Sequence, residues 1–141
     1  MEIKTCWLRA PEDRTPGYSI REAVFMEEQG FHNEFDEIDE TCWHLSLTVD
    51  GIPVGCARIF PDKDDLWHVG RVAILKDYRK LHLGNILMDA VAEKVAALGG
   101  RGMILSAQCQ AAGFYLKNGY TVTSDIYMDE HCPHQDMMRL L

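Results

Sequence analysis

Two periodicities divide the chain. Alternation of apolar and polar residues, expected of a strand with one covered face, runs from Glu2 to Arg9, and β-rich runs follow from Trp43 to Val49 and from Ile52 to Phe60. Asp50-Gly51 joins the last two runs, and Asp-Gly between β-rich segments suits a tight hairpin turn. Leu66 to Ile74 follows the turn at 61–65 and extends the hairpin into an antiparallel meander. The helical period is clearest at Leu83, Ile86, Leu87, Ala90, Val91, Val95 and Leu98, which share one face and stop at Gly99-Gly100. An earlier helix is predicted from about Ser19 to Gln29 on Ile20, Ala23 and Val24, after Pro16-Gly17. Gly30 to Thr41 follows neither period and is dense in acids, which predicts a loop or short helical turn with exposed charge. Met103 to Ala107 fits a buried strand reached through the long helix by a parallel crossover. Cys109 to Lys117 predicts a helix capped by Asn118-Gly119, and strands near Tyr120 to Met128 and Gln135 to Leu140 complete the pattern. The order β-α-β-β-β-α-β-α-β-β predicts a single mixed α/β domain over residues 1–141.

Composition narrows the function. Apolar residues form 47% and charged residues 26% of the chain, enough for a packed core. No apolar run approaches the ~20 residues of a membrane span, and the first residues resemble no signal peptide; a cytoplasmic protein without membrane partners is expected. Five scattered cysteines, odd in number and without a CxxC pair, read as reduced thiols. The net charge of −8 argues against nucleic-acid binding. Its distribution is uneven. Residues 1–65 hold 6 basic and 15 acidic side chains, residues 66–118 hold 7 and 3, and residues 119–141 hold 1 and 4. The acidic flanks enclose a locally positive segment, which favours an anionic ligand there.

Within that segment a strand runs through a basic turn, Arg79-Lys80-Leu81-His82, into the long helix. The first N–H groups of a helix lack intrahelical partners and carry partial positive charge, so they can hold a phosphate. Gly84, without Cβ, would allow close approach of a ligand. On these residues alone, a solvated basic cap fits as well.

Arg79-Lys80-Leu81-His82-Leu83-Gly84 resembles the pyrophosphate loop, Gln/Arg-x-x-Gly-x-Gly/Ala, of the GNAT superfamily of acetyl-CoA-dependent N-acetyltransferases; His82 stands where that family usually has glycine. Gln108-x-x-Ala111-x-x-Phe114-Tyr115-x-x-Asn118-Gly119-Tyr120 is similar to a second family motif, Asn-x-x-Ala-x-x-x-Tyr followed by Gly-Phe. Val24-Phe25-x-Glu-Glu-Gln29, Glu34, Asp36, Asp39 and His44, with Glu130, Pro133-His134 and Met137, are similar to a bacterial branch of the family.

The resemblance implies two parallel strands that splay to hold the pantetheine arm of acetyl-CoA, here Arg71 to Ile74 and Met103 to Ala107. It implies donor binding by the backbone of Val72, Ala73 and Ile74, by the loop Arg79, Lys80, Leu81, His82, Leu83, Gly84 and Asn85, and by Gln108 and Tyr115. An N–H near Val72 would hold the oxyanion. The reaction also needs a proton for the departing thiolate, which a phenol can supply, and the family pattern assigns this to Tyr115; without that pattern Tyr115 reads as a core aromatic beside Phe114. A base must relay the proton of the acceptor ammonium, and Glu27, Glu28 and His134 are candidates. Phe25, Glu28, Arg71 and His134 are expected at the acceptor site. Arg71 either binds an acceptor carboxylate or pairs with an acid.

Glu34, Asp36, Glu37, Asp39 and Glu40 either form a solvated loop or rim the acceptor cleft, where they would attract a cationic amine, small or peptidic. His131-Cys132-Pro133-His134 fits no standard zinc spacing, and no metal is expected. A non-catalytic acyl-CoA-binding or sensing module is the alternative, and monomer and homodimer both remain open.

Overall fold

The computed structural model describes residues 1–32 and 34–141; Asn33, inside the acidic stretch, lies outside the described residues. Eight strands form one mixed sheet: β1 (Ile3–Leu8), β2 (Trp43–Val49), β3 (Ile52–Pro61), β4 (Leu66–Ile74), β5 (Gly102–Gln108), β6 (Thr121–Val122), β7 (Tyr127–Asp129) and β8 (Cys132–Leu140). Their spatial order is β1-β2-β3-β4-β5-β8-β6, with β7 also paired to β8. The β4–β5 pair is parallel and the others are antiparallel. The hairpin forms at Asp50-Gly51, where both residues take positive φ, 51° and 80°, as a type I′ turn requires.

Strand alternation supplies two core faces. Leu45, Leu47, Val49 and Ile59 project toward the long helix α2 (Leu83–Ala97), which answers with Leu83, Leu87, Met88, Val91 and Val95. Ile86 and Leu98, expected on this stripe, are exposed, and Met88 is buried instead. On the opposite face Ile20, Val24, Phe25 and Phe31 cover Cys56 and Ala73.

The first helix differs from expectation. It begins at Thr15, not Ser19, because Pro16 occupies the first turn, where a missing N–H costs nothing. After α1 (Thr15–Arg21) the chain continues as π-type turns over Glu22–Glu28, with Gln29 N–H bonded to the Val24 carbonyl. The wider turn lets the neighbours Val24 and Phe25 both face the sheet.

The acidic stretch forms the expected short helical turn, a 3₁₀ turn at Glu37–Glu40, and Asp36, Glu37 and Glu40 are exposed; Glu34 and Asp39 depart from expectation, because both are buried. The strand expected over Tyr120 to Met128 is broken into β6 and β7, and β8 begins at Cys132, three residues early. Among the described residues no helix is long and apolar enough to cross a membrane.

Candidate active site

Strands β4 and β5 pair only from Leu66 opposite Gly102 to Val69 opposite Leu105. Beyond that point they part. The cause lies on the other edge of β4, where Cys56 and Arg58 of β3 face Ala73 and Gly70, so the single residue Ala57 opposes two, Arg71 and Val72. This β-bulge turns Arg71 to φ 52° and bends the strand away from β5. Neither Arg71 nor Val72 has a ladder partner on β3 or β5, and β5 from Ser106 to Gln108 pairs with β8 alone. Unpaired backbone groups therefore face each other across the gap, where an extended amide-bearing chain could satisfy them.

A cleft of about 580 Å³ follows the gap, and a second of about 320 Å³ adjoins it at the start of α2. Val72, Ala73, Ile74, Arg79, Ala111 and Tyr115 line both. In the second cleft His82, Gly84 and Asn85 present the first turn of α2, and no side chain caps its N–H groups. His82 links the 3₁₀ turn Lys76–Leu81 to α2 at φ 56° and ψ 25°, a left-handed conformation. That conformation favours glycine and accounts for the residue expected there by resemblance. A Cβ at Gly84 would stand 2.7 Å from Phe114 Cε1, so glycine at this position is also fixed by packing. Leu83 is buried in the core, and Lys80 and Leu81, both exposed, line neither cleft.

Tyr115, on the short helix α3 (Ala112–Lys117), lies edge-on to Phe114 and Tyr120 with centroids 5.1 and 5.7 Å away. No hydrogen bond joins its hydroxyl to another described residue, and burial raises its pKa, so the phenol stays protonated. Gln108 donates to Gln29 Oε1 at 2.7 Å, tying the end of β5 to the end of the first helix.

The larger cleft gathers Phe25, Arg71 and His134, as expected. His134 is buried, with Nδ1 2.9 Å from the Cys132 carbonyl. A carbonyl only accepts, so Nδ1 carries the hydrogen and Nε2 of the neutral ring keeps its lone pair. Nε2 stands 4.0 Å from Asp129 Oδ2. Glu28 is placed elsewhere: it lines neither cleft, and its carboxylate is bound to Arg79 at 2.7 Å through both oxygens. That bond holds its carboxyl below the usual range.

The acids 34–40 do not offer free negative charge to the cleft. Arg21 binds Glu34 at 2.8 Å and Asp39 at 2.7 Å, Arg58 binds Asp36 at 2.6 Å and Asp39 at 2.9 Å, and Arg71 binds Glu34 at 2.9 Å. Three buried or half-buried arginines thus balance three carboxylates. Arg14 lies 3.6 Å from Glu40, and Glu37 is exposed. The acids that do line the cleft are Glu34, already paired, with Asp129 and Glu130 at the turn between β7 and β8.

Asp39, Cys42 and His44 bring ligand atoms within 4.8 Å of one another. They do not suit a metal: Asp39 is held by two guanidinium groups, and His44 Nε2 points at the Asp39 carbonyl at 2.9 Å and so carries its hydrogen. Burial pushes the Cys42 thiol up to about 11.

Sequence reading missed His68 and Ser106 in the cleft wall. Burial lowers the pKa of His68, which stacks on Phe60 at 4.8 Å. Ser106 is the one hydroxyl in the apolar run of β5, and it sits where the two strands separate.

Residues 16–141 match the family model described as an acetyltransferase (GNAT) domain, and the chain belongs to that family. It is 36% identical over 141 residues to YjcF of Bacillus subtilis (strain 168), called an uncharacterized N-acetyltransferase, covering 97% of this chain and 99% of that one. A crystal structure of Escherichia coli ElaA is 25% identical, with a TM-score of 0.87 and coverage of 98% and 99%. The fold is also that of BjaI, a CoA-dependent acyl-homoserine lactone synthase, at 16% identity and a TM-score of 0.84, covering 99% of this chain and 83% of that one. The protein is an acyltransferase of the GNAT family.

Proposed function

We propose that this protein transfers an acetyl group from acetyl-CoA to a primary amine, on a small molecule or a peptide, by direct attack in a ternary complex. The observation that carries the reading is the parted edge of β4 and β5, which runs straight into the uncapped N-terminus of α2. Val72, Ala73 and Ile74 would bond the pantetheine arm through their backbone, with Gln108 supporting it from β5. The amides from His82 to Asn85, with Arg79, would take the pyrophosphate.

The bulge gives Val72 an N–H without a ladder partner, suited to the oxyanion that forms at the thioester carbonyl. The neutral amine nitrogen bonds to that carbon as the carbonyl electron pair moves onto oxygen; once the nitrogen has lost its extra proton, the C=O re-forms, the C–S bond breaks and the sulfur leaves with the electron pair. Tyr115 supplies its phenolic proton to the sulfur. His134 accepts the ammonium proton at Nε2, in keeping with its tautomer. Asp129 and Glu130, neither of which is paired with a lysine or an arginine among the described residues, would give this side of the cleft negative charge, which favours an amine.

Calorimetry with acetyl-CoA, followed by thiol release over a panel of amines, tests this reading. Saturable binding and amine-dependent release are expected. Binding with no release for any amine would make the protein a non-catalytic acyl-CoA-binding module, and absence of binding would overturn the donor site itself.

A further inference from the structure

Arg79 stands where the two clefts meet, and every nitrogen of its guanidinium is engaged within the chain. Nη1 and Nη2 grip Glu28 Oε2 and Oε1, each at 2.7 Å, and Nε donates to the Ile74 carbonyl at 2.9 Å. The fork joins parts 51 residues apart in sequence: the last π-type turn of the first helix, which walls the acceptor side, and the basic turn ahead of α2. Parallel guanidinium–carboxylate bonds of this kind copy the geometry by which arginine holds a phosphate. Both side chains are partly open to solvent, 37% and 36%, so an incoming anion can reach them. The Ile74 carbonyl that Nε covers belongs to the open edge of β4.

We infer that Glu28 is an internal anion that occupies Arg79 until the phosphates of the acyl donor displace it, so that donor binding unfastens the first helix from the basic turn. The inference rests on the donor reading above. It assigns Glu28 a positioning role, in place of the proton-accepting role its sequence position suggests. An exposed pair of this kind resists displacement only modestly, which permits the exchange at cellular donor concentrations.

The test measures affinity for coenzyme A itself, without turnover, by calorimetry at fixed salt. Glu28→Gln removes the competitor and is expected to tighten binding about two- to fivefold, the range of a partly exposed ion pair. Glu27→Gln, which removes the same charge next door, is expected to change affinity by less. In an Arg79→Gln background the Glu28→Gln gain is expected to vanish, and pantetheine, which lacks the phosphates, is expected to bind both forms of Glu28 alike. A purely structural role would weaken binding in Glu28→Gln. Wild-type binding with no gain in Glu28→Gln, or an equal gain in Glu27→Gln, would overturn this inference alone. Absence of coenzyme A binding by the wild type would overturn it together with the donor reading.

Discussion

Arg71 and Glu34 are bonded twice at the rim of the cleft: Arg71 Nε lies 2.9 Å from Glu34 Oε2, and its Nη2 donates to the Glu34 carbonyl at 2.8 Å. Arg71 occupies the bulge that opens the gap between β4 and β5, so the acidic stretch is fastened to the distortion on which the site depends. Glu34 also takes Arg21, which is 2% exposed. Removing one carboxylate from such a set strands buried positive charge, a loss of about 3–5 kcal/mol. Glu34→Ala is therefore expected to lower unfolding free energy by about that amount in urea titration, whereas the exposed Glu37→Ala should stay within about 0.5 kcal/mol. Equal, small effects would mean that the network holds nothing in place.

The same network sets the response to acid. Hydrogen bonds from Arg21 and Arg58 outweigh burial at Asp39 and bring its carboxyl to about 2, below the ordinary 3.8, and Arg58 lowers Asp36 in the same direction. A folded pKa below the unfolded one stabilises the fold above the unfolded value and loses that stabilisation as pH falls through the folded value. Glu34 acts oppositely, because burial raises its pKa. Stability should thus fall between about pH 4 and about pH 2. Asp39→Asn, less stable at neutral pH, should show a shallower fall over that window, and an unchanged slope would remove Asp39 as its source.

Tyr115 is held protonated by burial, with its hydroxyl unbonded at the junction of the two clefts. Phenylalanine keeps the ring packing on Phe114 and Tyr120 and removes only the hydroxyl, and with it the proton it would give. General acid catalysis contributes about 10²–10⁴-fold, so Tyr115→Phe should cut the rate of thiol release by about a hundredfold while donor affinity changes little. Turnover equal to wild type would leave Tyr115 as a core aromatic.

Legibility followed the range over which each feature is determined. The hairpin at Asp50-Gly51, the stripe of α2 and the end of α3 at Asn118-Gly119 depend on neighbouring residues and could be read directly. Gly119 takes φ 89° and the Tyr120 N–H closes on the Tyr115 carbonyl, as a glycine cap requires. Most residues expected at the donor side, from Val72 to Asn85, lie close together in the chain, so their grouping along one cleft wall follows from local sequence, whereas Gln108 and Tyr115 reach it from β5 and α3. The burial of Glu34 and Asp39 within the acidic stretch escapes local reading because charge looks solvated until its partners are known, and Arg21, Arg58 and Arg71 come from three different elements. The bond between Glu28 and Arg79 is hidden from sequence for the same reason, the two lying 51 residues apart. The π-type turns answer to packing of Val24 and Phe25 against the sheet, which no local pattern of residues encodes.

His82 offers the sharpest separation of backbone from side chain at the donor site. Its left-handed conformation costs an L-residue about 1–2 kcal/mol, partly eased because histidine tolerates this region better than most. Glycine removes that strain but gains freedom in the unfolded chain, about 0.4–1 kcal/mol. His82→Gly is therefore expected to leave the unfolding free energy unchanged or raise it by up to about 1 kcal/mol. The amides of the first turn of α2 are unaltered by the change, so coenzyme A affinity should be kept or improved if they are what hold the phosphates. A loss of affinity with stability intact would place the imidazole itself on a phosphate, because the backbone path would then be the same and only the ring would be missing.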